Sequence, residues 1–247
     1  MQAQFDLAKL SVRQFAEQFR NEMIPLSNTF SYFCAAAPLS EDDLKEYLEE
    51  PVAALPPSIA ATLPKISILL VPYLERAKAP AADYVSIEKP PEGRTSTSTQ
   101  LKLGEETVLA FALKDQEVAE YHYRFYHLLA SVIGEQWSED VATRYSRLLR
   151  EELTADAHGE VDEPSWRLKQ GLRRSKKLSA AKAFHSYARQ SFIDTLTLYL
   201  HGICCDIDVD TGPRQLPSRY LRKRLMTLAE IFPPPSGYAV FPDHLDS

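Results

Sequence analysis

Cysteine is scarce in this chain of 247 residues: Cys34, Cys204 and Cys205 are the only three. Three cysteines without a C-x-x-C spacing support neither a disulfide framework nor a zinc or dithiol motif, and the vicinal pair Cys204-Cys205 is poorly placed to bridge. They read as small apolar fillers in a reducing compartment. Glycine is equally rare, with eight residues, too few for an elaborate phosphate-cradling loop. HExxH, GxSxG, GxxxxGK[ST] and GxGxxG are all absent. Zincins, nucleophile-elbow hydrolases, P-loops and dinucleotide folds therefore lose their usual support. No acid is followed three residues later by histidine, which argues against a ferritin-like di-iron bundle. No apolar run approaches the roughly 18–20 residues that a membrane span needs. The start, Met1-Gln-Ala-Gln-Phe-Asp6, lacks a basic stretch followed by an apolar one. A soluble, cytoplasmic chain is the expectation.

What is present is ordinary globular material. The chain is 45% hydrophobic and 25% charged, with 12 Tyr and 11 Phe, which excludes wholesale disorder and a coiled-coil rod. Helical spacing predominates. Ala8, Val12, Phe15, Ala16, Phe19 and Met23 form one stripe over 5–23, ended by Pro25. Ser40 ahead of Glu41-Asp42-Asp43 is an N-cap with acids in the first turn. Pro56-Pro57 open an apolar helical segment, which Pro64 and Pro72 interrupt. Residues 84–113 change texture, with β-like runs at 84–88, 95–103 and 107–113, read as a small antiparallel sheet. Further helices are expected over 116–133, 139–157, 164–177, 179–203 and 217–232, the fourth apolar enough to be central. Pro233-Pro234-Pro235 then begins an extended tail over 233–247. The predicted fold is mainly α: a single multi-helix domain over 1–247 with a small β insert.

Charge divides this chain. Residues 1–163 carry a net −12 and residues 164–247 a net +6. No acid falls between Glu163 and Asp194, whereas Arg167, Lys169, Arg173, Arg174, Lys176 and Lys177 crowd that stretch. A second basic run is Arg219, Arg222, Lys223 and Arg224. Together these form a candidate anion-binding surface for an acidic protein or a nucleic acid. The bland alternative is that the basic part packs against the acidic part.

Two acidic stretches resist a calcium reading. An EF-hand begun at Asp206 would need glycine sixth and glutamate twelfth, where Thr211 and Pro217 stand. Asp156-Ala-His-Gly-Glu160-Val-Asp162 reads as a turn, with Gly159 in a helix-capping place.

One constellation stands out. On a helical wheel His122 shares a face with Val118, Phe125, Leu129, Val132 and Ile133, whereas His127 lies about 140° away, so the two cannot easily share a metal. Glu152 falls among Val141, Tyr145, Leu148 and Ala155, where a carboxylate needs a partner. An antiparallel hairpin turning near 136–137 would set His122 beside Glu152. Asp194 and His201 share a polar stripe on the central helix. His122, Glu152, Asp194 and His201 would then form a two-histidine, two-carboxylate cluster of the kind that zinc or iron accepts.

The order of strands, a helix with an inward His122, and a helix with an inward Glu152 followed by Asp156 resembles that of small zinc-dependent peptidases over 84–157. That family's paired histidines and the acid between them have no counterpart here; a metal-dependent hydrolase built on the His122 and Glu152 cluster would use Glu117 or Asp156 as general base. A buried His122–Glu152 hydrogen bond that fixes helix register is the structural alternative. Three functions follow: a binding or regulatory protein using the basic helices, a divalent-metal hydrolase, or a structural subunit of a complex. The first is preferred, because every complete catalytic motif is missing.

Overall fold

The computed structural model describes residues 10–36, 39–77, 83–174, 180–205 and 214–241. The expected acidic loop at 206–212, Lys176, Lys177 and the end of the tail lie outside the described residues. The mainly α expectation is overturned. Among the described residues 53% are helix and 18% strand, with one five-stranded and one three-stranded sheet, an α/β architecture. It separates into two compact units, Met1–Val52 with Leu63–Arg124, and Ala53–Thr62 with Phe125–Ser247.

The first unit is built on the larger sheet. In chain order it contains α1 (Val12–Gln18), β1 (Ile24–Pro25), β2 (Phe30–Cys34), α2 (Glu41–Leu44), a π-helical stretch (Lys45–Glu49) and α3 (Glu50–Ala53). The short α4 (Pro57–Ala60), which belongs to the second unit, intervenes. Then follow β3 (Lys65–Val71), β4 (Tyr73–Glu75), β5 (Tyr84–Ser86), β6 (Thr95–Ser96), β7 (Ser98–Leu103) and β8 (Glu106–Ala112). The larger sheet runs β1-β2-β3-β8-β7, parallel at β2–β3 and β3–β8 and antiparallel at its two edges. The smaller runs β5-β4-β6. The strands of 84–113 therefore form no separate insert: β8 aligns with β3, Ile68 opposite Leu109, and β5 and β6 flank β4.

β3 departs from the sequence expectation of an apolar helical segment at this place. Ile66 to Val71 are all at most 3% exposed, so the strand is covered on both faces and shows no alternation. A short apolar run of this kind carries the same signal as a buried helix. On one face, α1 lays Val12, Phe15, Ala16 and Phe19 over Leu69, Val71, Val108, Ala110 and Ala112. Ser11 begins α1 with a capping box, exchanging hydrogen bonds with Gln14. Phe111 meets Tyr121 edge-on at 5.0 Å, and Tyr121 meets Tyr47 at the same distance.

The second unit is helical. α5 (Val118–Glu135) enters it at Phe125, followed by α6 (Glu139–Thr154), α7 (Glu163–Arg174), α8 (Ala180–Cys204) and α9 (Ser218–Ile231). α8 is its core, with Tyr187, Phe192, Leu196, Tyr199 and Leu200 fully buried. α6 and α9 run antiparallel, since Glu151 meets Lys223, Glu152 meets Arg224 and Arg144 meets Glu230. Ser138 caps α6 through the Val141 amide.

Candidate functional site

The second unit holds a chain of ion pairs closed off from water. Glu152 of α6, Glu160 of the α6–α7 loop, Lys169 of α7 and Arg224 of α9 are each at most 2% exposed. Glu152 binds Arg224 through Nε at 3.0 and 3.1 Å and through Nη2 at 2.6 Å. Arg224 also donates to Glu160 at 2.7 and 3.0 Å and to the Ser191 hydroxyl at 2.8 Å. Lys169 donates to Glu160 at 3.1 Å and to the Gly159 carbonyl at 2.8 Å. Tyr187 adds its hydroxyl to Glu160 at 2.5 Å.

Two carboxylates and two cations leave this group neutral, which makes deep burial tolerable. Burial works to raise the Glu160 carboxyl. Arg224 and Lys169 outweigh it and hold that carboxyl down at about 2. Burial lowers Lys169 and raises Tyr145, the latter to about 12. Nearby, Gly159 has φ 72° and an added Cβ would stand 2.1 Å from the Gln215 carbonyl oxygen, so only glycine lets the two segments bridge.

Each of the proposed metal ligands has a partner within its own unit. His122, in the first unit, is 6% exposed and places Nε2 2.8 Å from the Glu46 carbonyl oxygen, in the π-helical stretch. Glu152 is held by Arg224. Asp194 takes hydrogen bonds from the Ser165 amide at 3.1 Å and from Gln190 at 2.8 Å, so it caps the start of α7. Burial raises its pKa above the ordinary value. His201 lies half-buried with its ring 6.1 Å from that of Tyr126. Within the second unit, then, Glu152 and Asp194 belong to different hydrogen-bonded groups. Of the candidate bases, Glu117 is exposed before α5, and Asp156 is exposed and paired with Arg173 at 2.8 Å.

The candidate anion-binding residues divide three ways. Lys169 and Arg224 are interior, so neither can meet a partner. Arg167, Arg173 and Lys223 pair on the surface with Glu163, Asp156 and Glu151. Arg174, Arg219 and Arg222 are exposed and, among the described residues, have no carboxylate partner. Arg219 lies over the Tyr220 ring at 4.7 Å and Arg222 over Phe241 at 4.5 Å.

Sequence reasoning missed the role of Arg224, although a signal was there: on the α9 wheel it falls about 40° from Leu228, at the edge of the stripe of Leu221, Leu225 and Leu228. It also missed α6's part in the charged surface. Arg144, Arg147, Leu148 and Glu151 of α6 line a groove of about 330 Å³ with Lys223, Thr227 and Glu230 of α9. Another depression, about 370 Å³, lies in the first unit beside Arg20, Lys65 and Glu106, where Arg20 already pairs with Glu106 at 3.0 Å. No helix among the described residues is long and apolar enough to cross a membrane. Comparison with protein-family models, with curated proteins and with solved structures finds no match.

Proposed function

We propose that the protein is a non-catalytic binding module whose α9 face engages an acidic segment of a protein partner. One observation carries this reading. Arg219 and Arg222 stand exposed without a carboxylate, each guanidinium lying on an aromatic ring. Stacking pre-orders each group, with Arg219 also donating through Nη2 to the Tyr220 hydroxyl at 3.2 Å; it leaves further N–H groups for a carboxylate and reduces the ordering cost of binding. Met226, 43% exposed on the same side of α9, adds an apolar contact. No acid lies between Gln215 and Glu230, so the face is locally cationic on a chain whose net charge is −6. That overall balance favours a short acidic segment over nucleic acid, whose binding draws on many phosphate contacts. The metal-hydrolase alternative loses support, because both oxygens of Glu152 are taken by Arg224.

The test uses the full chain and fluorescein-labelled poly-L-glutamate, read by anisotropy at low ionic strength. Saturable binding that falls about tenfold or more in R219A/R222A is expected, with two charge-assisted contacts removed. Tighter binding of a single-stranded oligonucleotide, with a steep salt dependence, would overturn the acidic-protein reading.

A further inference from the structure

The α6–α9 groove belongs to the same charged face, and its register reveals a gap. The two helices run antiparallel, so each step along α6 is matched by an opposite step along α9. Arg144 meets Glu230 at 3.2 Å at one end, and Glu151 meets Lys223 at 2.7 Å at the other. Midway on α6, one turn from each, stands Arg147, exposed and lining the groove. The residue that this register sets opposite is Thr227, whose hydroxyl donates back to the Lys223 carbonyl at 2.9 Å. The ladder therefore has a cation at its centre with no acid across from it on α9; along α6, Glu151, held by Lys223, also feels the Arg147 charge. Its seven lining residues include three cations against two carboxylates.

We propose that Arg147 is the anchor of the binding face: a carboxylate from the acidic partner segment enters the groove at Thr227 and completes the ladder. This rests on the reading of the α9 face given above and assigns it a defined contact. A carboxylate placed there lies one helical turn from both Arg144 and Lys223, so three cations surround it. Glu151 and Glu230, which already hold Lys223 and Arg144, act as internal competitors. They keep the groove closed to weakly acidic surfaces and admit a segment that brings several carboxylates.

A built-in carboxylate tests the idea. In T227E the new side chain occupies the gap, and affinity for labelled poly-L-glutamate should fall about fivefold, the scale of one exposed ion pair, whereas T227Q stays close to wild type. R147A should lose a similar factor. T227E should also raise the melting temperature more than T227Q does, and that extra gain should vanish in R147A/T227E. An unchanged affinity in T227E, or a stabilisation that survives without Arg147, overturns the assignment. If R219A/R222A loses binding while R147A and T227E do not, the anchor is wrong and the face reading stands. If the wild-type chain binds no poly-L-glutamate, both fall.

Discussion

Arg224 grips Glu152 with three hydrogen bonds of 2.6–3.1 Å in a place where both side chains are at most 2% exposed. A buried pair of this kind contributes less through its own attraction than through the damage done when one member is lost.

R224M should therefore destabilise the protein by roughly 3–5 kcal/mol, because Glu152 and Glu160 stay buried without their main counter-charge. Adding E152Q and E160Q to R224M should recover part of that loss. Urea denaturation of the full chain measures both, and a triple variant no more stable than R224M would contradict the electrostatic account.

Acid should weaken the protein through Glu160. Its carboxyl ordinarily titrates near 4.5 and is held at about 2 in the fold. A group with a depressed folded value stabilises fully above 4.5, and that contribution disappears as pH falls from 4.5 towards 2. The shift corresponds to about 3 kcal/mol. Thermal melts across this range should show a shallower acid decline in E160Q than in wild type.

Asp194 has the opposite sign. Burial raises its pKa above 3.8, so its contribution is present in acid and is lost as pH rises through the folded value. D194N, which can still accept from the Ser165 amide, should be as stable as wild type or more so at pH 7. That advantage should fade towards pH 3.8. D194A removes the cap of α7 and should cost about 1 kcal/mol.

Gly159→Ala combines a positive φ with a Cβ placed 2.1 Å from the Gln215 carbonyl oxygen. A loss of more than about 2 kcal/mol is expected from strain together with the displaced bridge. Gly171→Ala, where the added carbon meets nothing within 4 Å on a helix, should be neutral or stabilising by about 0.5–1 kcal/mol.

The helices of the second unit were legible because their stripes repeat over several turns, and β5, β7 and β8 were legible as β-like runs; β2, β3 and the parallel centre of the sheet were not. β3 is apolar on both faces, and β2, Phe30–Cys34, is five residues with one fully buried position, so neither shows a period of two. Parallel pairing of β3 with β8 joins segments about 40 residues apart, a relationship that no local pattern encodes. At the site, Glu152 stood out as a carboxylate in an apolar stripe, but its partner was sought in the nearest helix. The true partner lies 72 residues away, hidden in a run of four basic residues whose members look alike in sequence. What separates Arg224 from Arg222 and Lys223 is its angular position alone, inward beside Leu228. The same crowding concealed Lys169, which follows Ser165 by one turn on the inner side of α7.

The separation between Glu152 and Arg224 also bears on synthesis. Glu152 and Glu160 leave the ribosome well before the guanidinium that neutralises them, so a nascent chain must keep α6 and the following loop solvated until α9 emerges. Closure of the helical unit is then a late event, and chains released before residue 224 would present unneutralised acids to chaperones and proteases.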